Sequence, residues 1–353
     1  MGAFRFAGFA ARIETSGKGA GWSSWFGSGV VMLLLACAIA LDMAVGDPDW
    51  LWRRAPHPVV WIGKLIGWVD DVQHRLFRSV TFQFAVGAWL LLVLAVIAFL
   101  IWLLVTTIQA VFPIFGWCFE LLIVAVLIAQ KSLSDHVAAV ADGLQNNGLT
   151  GGRIAVAMIV GRDVEKLDET GVAAAAIESC AENFSDGVVA PILWYAILGL
   201  PGIVFYKAVN TADSMIGHRD PRHEWFGKPA AILDDLLNWP VARLSALLVF
   251  FVSLLGTASA SVQDIWKVTL RDARTHRSPN AGWPEAAFAA SLGIALGGPR
   301  IYHDGPVDAP YLNPQGLRSF GVGEIRRAIS LLWRCAFLIL GAVILVCLTV
   351  LLS

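Results

Sequence analysis

Hydrophobic positions in this chain come in long unbroken runs, and the polar positions between them fall at helical spacing. Between Arg78 and Glu120 there is no Asp, Glu, Lys or Arg, and Phe84–Ile108 alone supplies 25 residues, more than the ~20 that a membrane-crossing helix needs. Pro113 and Gly116 break this run, which predicts a hairpin with Trp117–Ala129 as its returning arm. Phe26–Ala40, continuing to Asp42 and Gly46, predicts a first membrane segment, and Leu331–Leu352 a last one. Residues 187–206 are also uncharged, yet Pro191, Gly199, Pro201 and Gly202 interrupt them as in a broken or re-entrant segment. Ser245–Val262 is a further uncharged run.

The stretches between are amphipathic. After Pro58, Val59, Ile62, Ile66 and Val69 share one helical face. Leu133–Leu144, Thr150–Val160 and Asp163–Ile177 predict three more helices, punctuated by Gly148, Gly151 and Gly161. Arg153, Arg162 and Asp163 read as a solvated face, with reach to an anionic ligand as the alternative. Residues 278–298 predict a turn and then a small-residue helix with Pro284 and Glu285 in its first turn. Residues 299–325 read as an irregular polar loop.

The composition agrees: 57% of residues are hydrophobic and 15% charged, with mean hydropathy +0.66, too few charges for a soluble surface. The expected fold is all-α, a polytopic integral membrane helical bundle with cytoplasmic-facing amphipathic and re-entrant helices. Residues 1–25 are expected to form a flexible N-terminal tail, and 26–353 a single membrane-embedded catalytic domain. A cleaved signal peptide over residues 5–40 is the alternative reading, but no small-residue cleavage site follows the apolar run cleanly. Ser16-Gly17-Lys18-Gly19 is no phosphate loop, because Arg12 stands where that motif needs its first glycine. A net charge of −1 and the lack of any binding motif exclude nucleic acid as an expected partner. The five cysteines contain no CxxC pair, which argues against a disulfide framework or zinc site. Arg53, Arg54, Lys64, Arg75 and Arg78 precede the long hairpin, whose tip has no Lys or Arg. The positive-inside rule therefore puts residues 47–83 in the cytoplasm.

Candidate chemistry concentrates in residues 178–239. Glu178, Glu182 and Asp186 recur at i, i+4 and i+8, so on a regular helix three carboxylates share a face that needs a cation. Asp213, Asp234 and Asp235 extend the acidic set, and Lys207 is its conspicuous cation. Charged residues beside membrane segments are costly and default to functional candidates. Hard oxygen ligands of this type suit magnesium, which takes one or two carboxylates and completes its shell with water and substrate phosphates. Lys207, Asn210, Thr211 and Ser214 form a polar stripe, and Asn183, Asn238 and Asn280 add uncharged donors. The competing reading makes the acids structural ion pairs with Lys207, Arg243 and Arg271, or helix caps. His218 and His223 read as solvated. Asp47 and His57 either lie on a surface connector, as composition favours, or face a site. The first turn near Pro284 offers N–H groups to an anion, against an ordinary capped turn.

Five segments in order carry a resemblance. They are Asp42 with Gly46-Asp47-Pro48, His57-Pro58 and Gly63; Glu178 to Gly187, including Glu182, Asn183, Ser185 and Asp186; Tyr206 to Gly217; Leu233 to Arg243; and Ser278 to Glu285. Together, over roughly residues 30–350, they resemble the CobD/CbiB family, the membrane-bound adenosylcobinamide-phosphate synthases of cobalamin biosynthesis.

That resemblance implies an ATP- and magnesium-dependent ligase that joins a propionate carboxylate of adenosylcobyric acid to 1-amino-2-propanol or its O-phosphate. On this sequence it implies Glu182, Asp186, Asp213 and Asp234 as magnesium ligands, with Lys207 on the transferring phosphoryl group. Asn183, Asn210 and Ser214 would orient phosphates or corrin amides, and Asp235 or Glu178 would take the amine proton. Ser185, Thr211, Asn238, Arg243, Ser278, Asn280, Glu285, Asp47 and His57 would complete the substrate and nucleotide contacts. Implied too are a bacterial inner-membrane location with the site facing the cytoplasm, and contact with lipid. A threonine-phosphate decarboxylase handing over the amine and a homo-oligomer are the protein partners it admits. The rival classes are a secondary transporter, which would show internal repeats, and a membrane scaffold for a corrinoid-pathway complex.

Overall fold

The computed structural model describes residues 29–352 apart from 49–51, 55, 77–78, 162, 219, 258–260, 299, 303–304 and 308. The expected tail at 1–25 and Arg162 lie outside the described residues. The chain is an all-α polytopic protein. Its elements are α1 (Gly29–Val45), α2 (Pro58–Leu76), α3 (Val80–Val111), α4 (Pro113–Leu127), α5 (Gln130–Val156), α6 (Glu169–Asn183), α7 (Ala190–Ile216), α8 (Lys228–Val252), α9 (Val262–Asp272), α10 (Gly282–Leu292) and α11 (Val322–Leu352). A π-helical turn, Phe184–Val189, joins α6 to α7. Among the described residues, five helical stretches are long and apolar enough to cross a membrane, and α1 is a shorter apolar helix.

Two of those stretches are hairpins. At Gly199 the backbone takes φ 64° and ψ −153°, a region open essentially to glycine alone. The chain reverses there. The Tyr206 hydroxyl returns to within 3.0 Å of the Asp186 carbonyl, which 20 residues of straight helix would put about 30 Å apart. The 13 residues from Asp186 to Gly199 rise only ~20 Å, short of the ~30 Å hydrocarbon core. The interrupted run is therefore a re-entrant hairpin. Its arms touch because Gly202 has no side chain: a Cβ there would run into the Trp194 carbonyl. Gly148, at φ 63° and ψ −158°, reverses α5 in the same way, with Gly151 against the carbonyl of Gly143.

The main core runs through Leu35, Ile39, Val137, Ala176, Phe184, Tyr195 and Leu332, and joins α1, α5, α6, α7 and α11. A smaller cluster of Ile66, Leu90, Leu94, Ala212 and Phe226 packs α2, α3 and α7 together. Ions fix the loops that the cores leave free. Arg222 Nε donates to Asp70 Oδ2 at 2.8 Å and its Nη2 pairs with Asp71 at 2.7 Å, while His223 lies 2.8 Å from Asp220 and 3.4 Å from Asp70. His223 is thus part of an ion network holding the α7–α8 loop to α2, a correction to its expected solvation. His218 is exposed, as expected. Arg153 donates to the Leu167 carbonyl from Nε and Nη2, at 2.9 and 2.7 Å, so it ties a loop down instead of forming a solvated face. The expected helix over 163–177 starts only at Glu169, because Asp168 caps it by accepting the Gly171 N–H at 2.7 Å.

The loop expected to be irregular contains short antiparallel pairs: β1 (Leu296–Gly297) with β4 (Tyr311–Leu312), and β2 (Arg300–Tyr302) with β3 (Gly305–Val307). Asn313, at φ 53°, pins it by donating to the carbonyls of Ala289 and Ile294.

Gly202→Val inserts volume into the closed hairpin and is expected to cost about 1–3 kcal/mol. Its melting temperature in detergent should fall clearly, whereas Gly341→Val, with open space around its Cβ, should melt like the parent.

Candidate functional site

The site grows out of the π turn. Ala190 donates its N–H to Ser185, five residues back. In that register the Asp186 carbonyl would wait for the N–H of residue 191, and Pro191 has none. A buried orphan carbonyl needs a donor from elsewhere. Tyr206, on the returning arm of the hairpin, supplies it. Its single hydroxyl proton is shared with Asn238 Oδ1, 2.9 Å away on α8.

Asn238 passes the order on. Its Nδ2 donates to Asp234 Oδ2 at 2.9 Å, and Asn210 Nδ2 donates to Asp234 Oδ1 at 3.2 Å. Asp234 is 8% exposed and both its oxygens are held by amides. The π turn, α7 and α8 are thereby fastened by one polar chain. Around it Asp186 lies in electrostatic range of Glu182, Asp234 and Lys207, and Asp213 in range of Asp235 and Glu182. Asp234 in turn faces Asp213 and Asp235. Among the described residues, the carboxylates of Asp186, Glu182, Asp213, Asp234 and Asp235 thus gather around Lys207.

Asp47 and His57 belong with them. Their side chains approach to 3.9 Å, and both are in electrostatic range of Lys207. The connector that carries them faces the site, against the reading that composition favoured. Burial, together with the Lys207 charge, pushes His57 below its usual range despite Asp47. The neutral ring accepts the Val59 N–H on Nδ1 at 3.2 Å, and Trp52 packs edge-on against it.

Asn280 forms the opposite wall. Its Nδ2 donates to the carbonyl and to Oδ1 of Asp235, at 2.9 and 3.2 Å, and its Oδ1 accepts from Arg243 Nη1 at 3.0 Å. Ser278 Oγ accepts the N–H groups of Asn280 and Ala281, an ordinary cap before α10. Glu285 Oε1 lies 3.7 Å from His276 Nε2.

Several expected residues stand apart from this set. Glu178 is buried and accepts the Gly297 N–H at 2.8 Å, which commits one carboxylate oxygen to holding β1. The Asn183 amide donates to Ser179. Thr211 and Ser214 give their hydroxyl protons to the carbonyls of Lys207 and Asn210, the usual outcome for such residues inside a helix. Ser185, by contrast, is 1% exposed and its side chain lies beside the Asp186 carboxylate. The three-carboxylate face also divides, because Glu178 is buried, Glu182 is exposed and Asp186 sits in the π turn.

Among the described residues, no three of His, Cys, Asp or Glu converge closely enough to hold an ion by themselves. The expected four-ligand set is accordingly no preassembled cage, since Asp234 is tied to two amides and Glu182 lies exposed. The donor set still fits magnesium, which needs only one or two carboxylates when water and substrate phosphates complete the shell.

Removing the Tyr206 hydroxyl should leave the Asp186 carbonyl unsatisfied. Tyr206→Phe is therefore expected to lose about 1–3 kcal/mol of stability, measured by thermal unfolding in detergent. The sign for His57 follows from its depressed value: the unfolded ring takes up a proton near its ordinary 6.5 while the folded ring resists it. Its contribution is complete above that pH and is lost as pH falls below it. From pH 7.5 to 5.5 the parent should lose more thermal stability than His57→Gln, and equal losses would refute the assignment.

The CobD/CbiB protein family model matches residues 35–332. A cobalamin biosynthesis protein CobD of Sinorhizobium sp is 47% identical over 325 residues, covering 90% of this chain and 98% of that protein. The CobD of Rhizobium meliloti (strain 1021) is 47% identical over 307 residues, 87% of this chain and 94% of its own. That of Rhodobacter capsulatus is 47% identical over 292 residues, 79% of this chain and 86% of its own. No solved structure matches the chain. With Tyr206, Lys207, Asp186, Asp234 and Asn280 drawn together by segments within the matched region, the chain belongs to the CobD/CbiB family of cobalamin biosynthesis proteins.

Proposed function

We propose that the chain is an ATP-dependent amide ligase that joins a propionate carboxylate of adenosylcobyric acid to 1-amino-2-propanol or its O-phosphate. A carboxylate is a poor acyl donor. Its oxygen therefore attacks a phosphorus of ATP, a phosphoanhydride P–O bond breaks, ADP or pyrophosphate leaves, and the product is a mixed anhydride carrying a phosphate-bearing leaving group. The amine nitrogen then attacks the acyl carbon, the C–O bond to that group breaks, and the nitrogen gives up a proton.

The observation that carries this reading is the hairpin fastened by Tyr206, which brings Lys207 into electrostatic range of Asp186 and Asp47. Lys207 neutralises charge on the transferring phosphoryl group as a preorganised cation. Asp186 and Asp213, with Glu182 at the rim, would hold magnesium, which would supply Lewis-acid polarisation of the phosphoryl group. Asp234, fixed by Asn210 and Asn238, keeps the acidic wall in place. Asp235 is exposed and oriented by Asn280, which suits it to accept the amine proton; Glu178 loses that role to its bond with Gly297. The basic loops beside the site support a cytoplasmic-facing location at the cell membrane, where ATP is available.

Detergent-purified protein given ATP, magnesium, adenosylcobyric acid and aminopropanol or its phosphate should form the amide and consume nucleotide. Chelation should stop both and added magnesium restore them. Asp213→Asn and Lys207→Met are each expected to lower turnover by a factor of about 100 or more with unchanged melting temperature. Folded, substrate-loaded parent protein that makes no amide would exclude the reaction.

A further inference from the structure

A second cavity, of about 530 Å³, opens beyond Asn280 between α8, α10 and the segment after α9. Its centre is Arg243. The guanidinium lies between two indole rings, 4.6 Å from the Trp239 centroid and 4.7 Å from that of Trp283. Its recorded bonds both leave from Nη1, to the Trp239 carbonyl at 2.9 Å and to Asn280 Oδ1 at 3.0 Å. Both acceptors are neutral. Among the described residues no carboxylate stands within ion-pair distance of Arg243, and its Nε and Nη2 have no protein acceptor. Arg222, Arg271, Arg326 and Arg327, by contrast, each face an Asp or Glu.

A partly buried guanidinium held by stacking between two aromatic rings, with Nε and Nη2 still available, is preorganised to take an anion. Arg274 lines the same cavity and, among the described residues, also lacks an acidic partner. His276 lines it too, paired across 3.7 Å with Glu285. Two guanidinium groups without a carboxylate suit a dianion better than a single carboxylate, and the planar fork of arginine matches phosphoryl oxygens two at a time.

We infer that the cleft built by Arg243, Trp239, Trp283 and Arg274 is a phosphoryl-anion subsite that holds the phosphate of a substrate beside the carboxylate cluster. Resting on the ligase reading, this names the substrate class at that wall. Asn280 joins the two regions, bonding Arg243 through one end of its amide and Asp235 through the other, so a phosphate seated on Arg243 leaves the rest of its molecule directed along the route to Asp235. The phosphate belongs either to a phosphorylated amine acceptor or to the nucleotide.

Equilibrium dialysis of the full-length protein in detergent tests this with three probes: O-phosphoethanolamine, ethanolamine and ATP. The parent should retain a phosphorylated probe, less so at high salt, and should not retain ethanolamine. Arg243→Met should weaken that retention about tenfold or more, the equivalent of losing one charged hydrogen bond. Arg243→Lys keeps the charge without the fork or the stacking and should also weaken it, which covers the case of a Met variant that fails to fold. Retention of O-phosphoethanolamine assigns the subsite to the acceptor, and retention of ATP alone, lost in the same variants, assigns it to the nucleotide. Parent-like retention of both phosphorylated probes by a folded Arg243 variant overturns the proposal, as does equal retention of ethanolamine and its phosphate when ATP is not held through Arg243. Binding that depends on Arg243 in protein that forms no amide would leave the subsite standing and remove the ligase reading; amide formation with an unaffected KM for both phosphorylated substrates in Arg243 variants would do the reverse.

Discussion

The fold around the site depends on one backbone oxygen. Pro191 cannot donate to the Asp186 carbonyl, the π turn keeps Ala190 from doing so, and Tyr206 completes the bond from the far arm of a hairpin reversed at Gly199. If the turn were α-helical, Ala190 would satisfy that oxygen and Tyr206 would lose its reason to sit there. The same hydroxyl meets Asn238, so a local defect in one helix becomes the joint that fixes three. Irregular backbone at membrane depth is tolerated where it lines a cavity, and here Gly199 and Pro201 at the hairpin tip line an apolar cavity of about 590 Å³ together with Ala98, Trp102 and Trp117 of the long apolar hairpin.

The joint also settles the electrostatics. A straight crossing from Asp186 to Lys207 would have put the ammonium a membrane's width from the carboxylate. Re-entry instead returns Lys207 to Asp186 and Asp47, and α8 presents Asp234 and Asp235 from the side. Where the protein wants a closed ion network it builds one, as Arg222, Asp70, Asp71, His223 and Asp220 show at the α2 face. Arg243 on the other wall and the acids in the middle are complementary in sign and separated by Asn280, an arrangement that suits a ligand carrying both metal-bound and arginine-bound oxygens.

The hydrophobic pattern determined a good deal by itself. Uninterrupted apolar length is enough to specify the α3–α4 hairpin and α11, because an unsatisfied backbone in lipid leaves no alternative to helix. The glycines and prolines at 191–202 marked the interruption, and the spacing of acids around it marked the chemistry. Sequence alone could not divide Glu178 from Glu182 and Asp186, since an i, i+4, i+8 face assumes a regular helix and the π turn departs from one. Nor could it show that the hydroxyls of Thr211 and Ser214 would turn back on their own helix, that His223 would join an ion network, or that Asp47 and His57 would face Lys207. Each of these depends on a neighbour far away in the chain or on a competition between backbone and ligand for one proton. Tertiary structure decided them because a side chain's partner is set by which helix packs against it, and that is fixed here by a hairpin whose closing bond joins residues 20 apart.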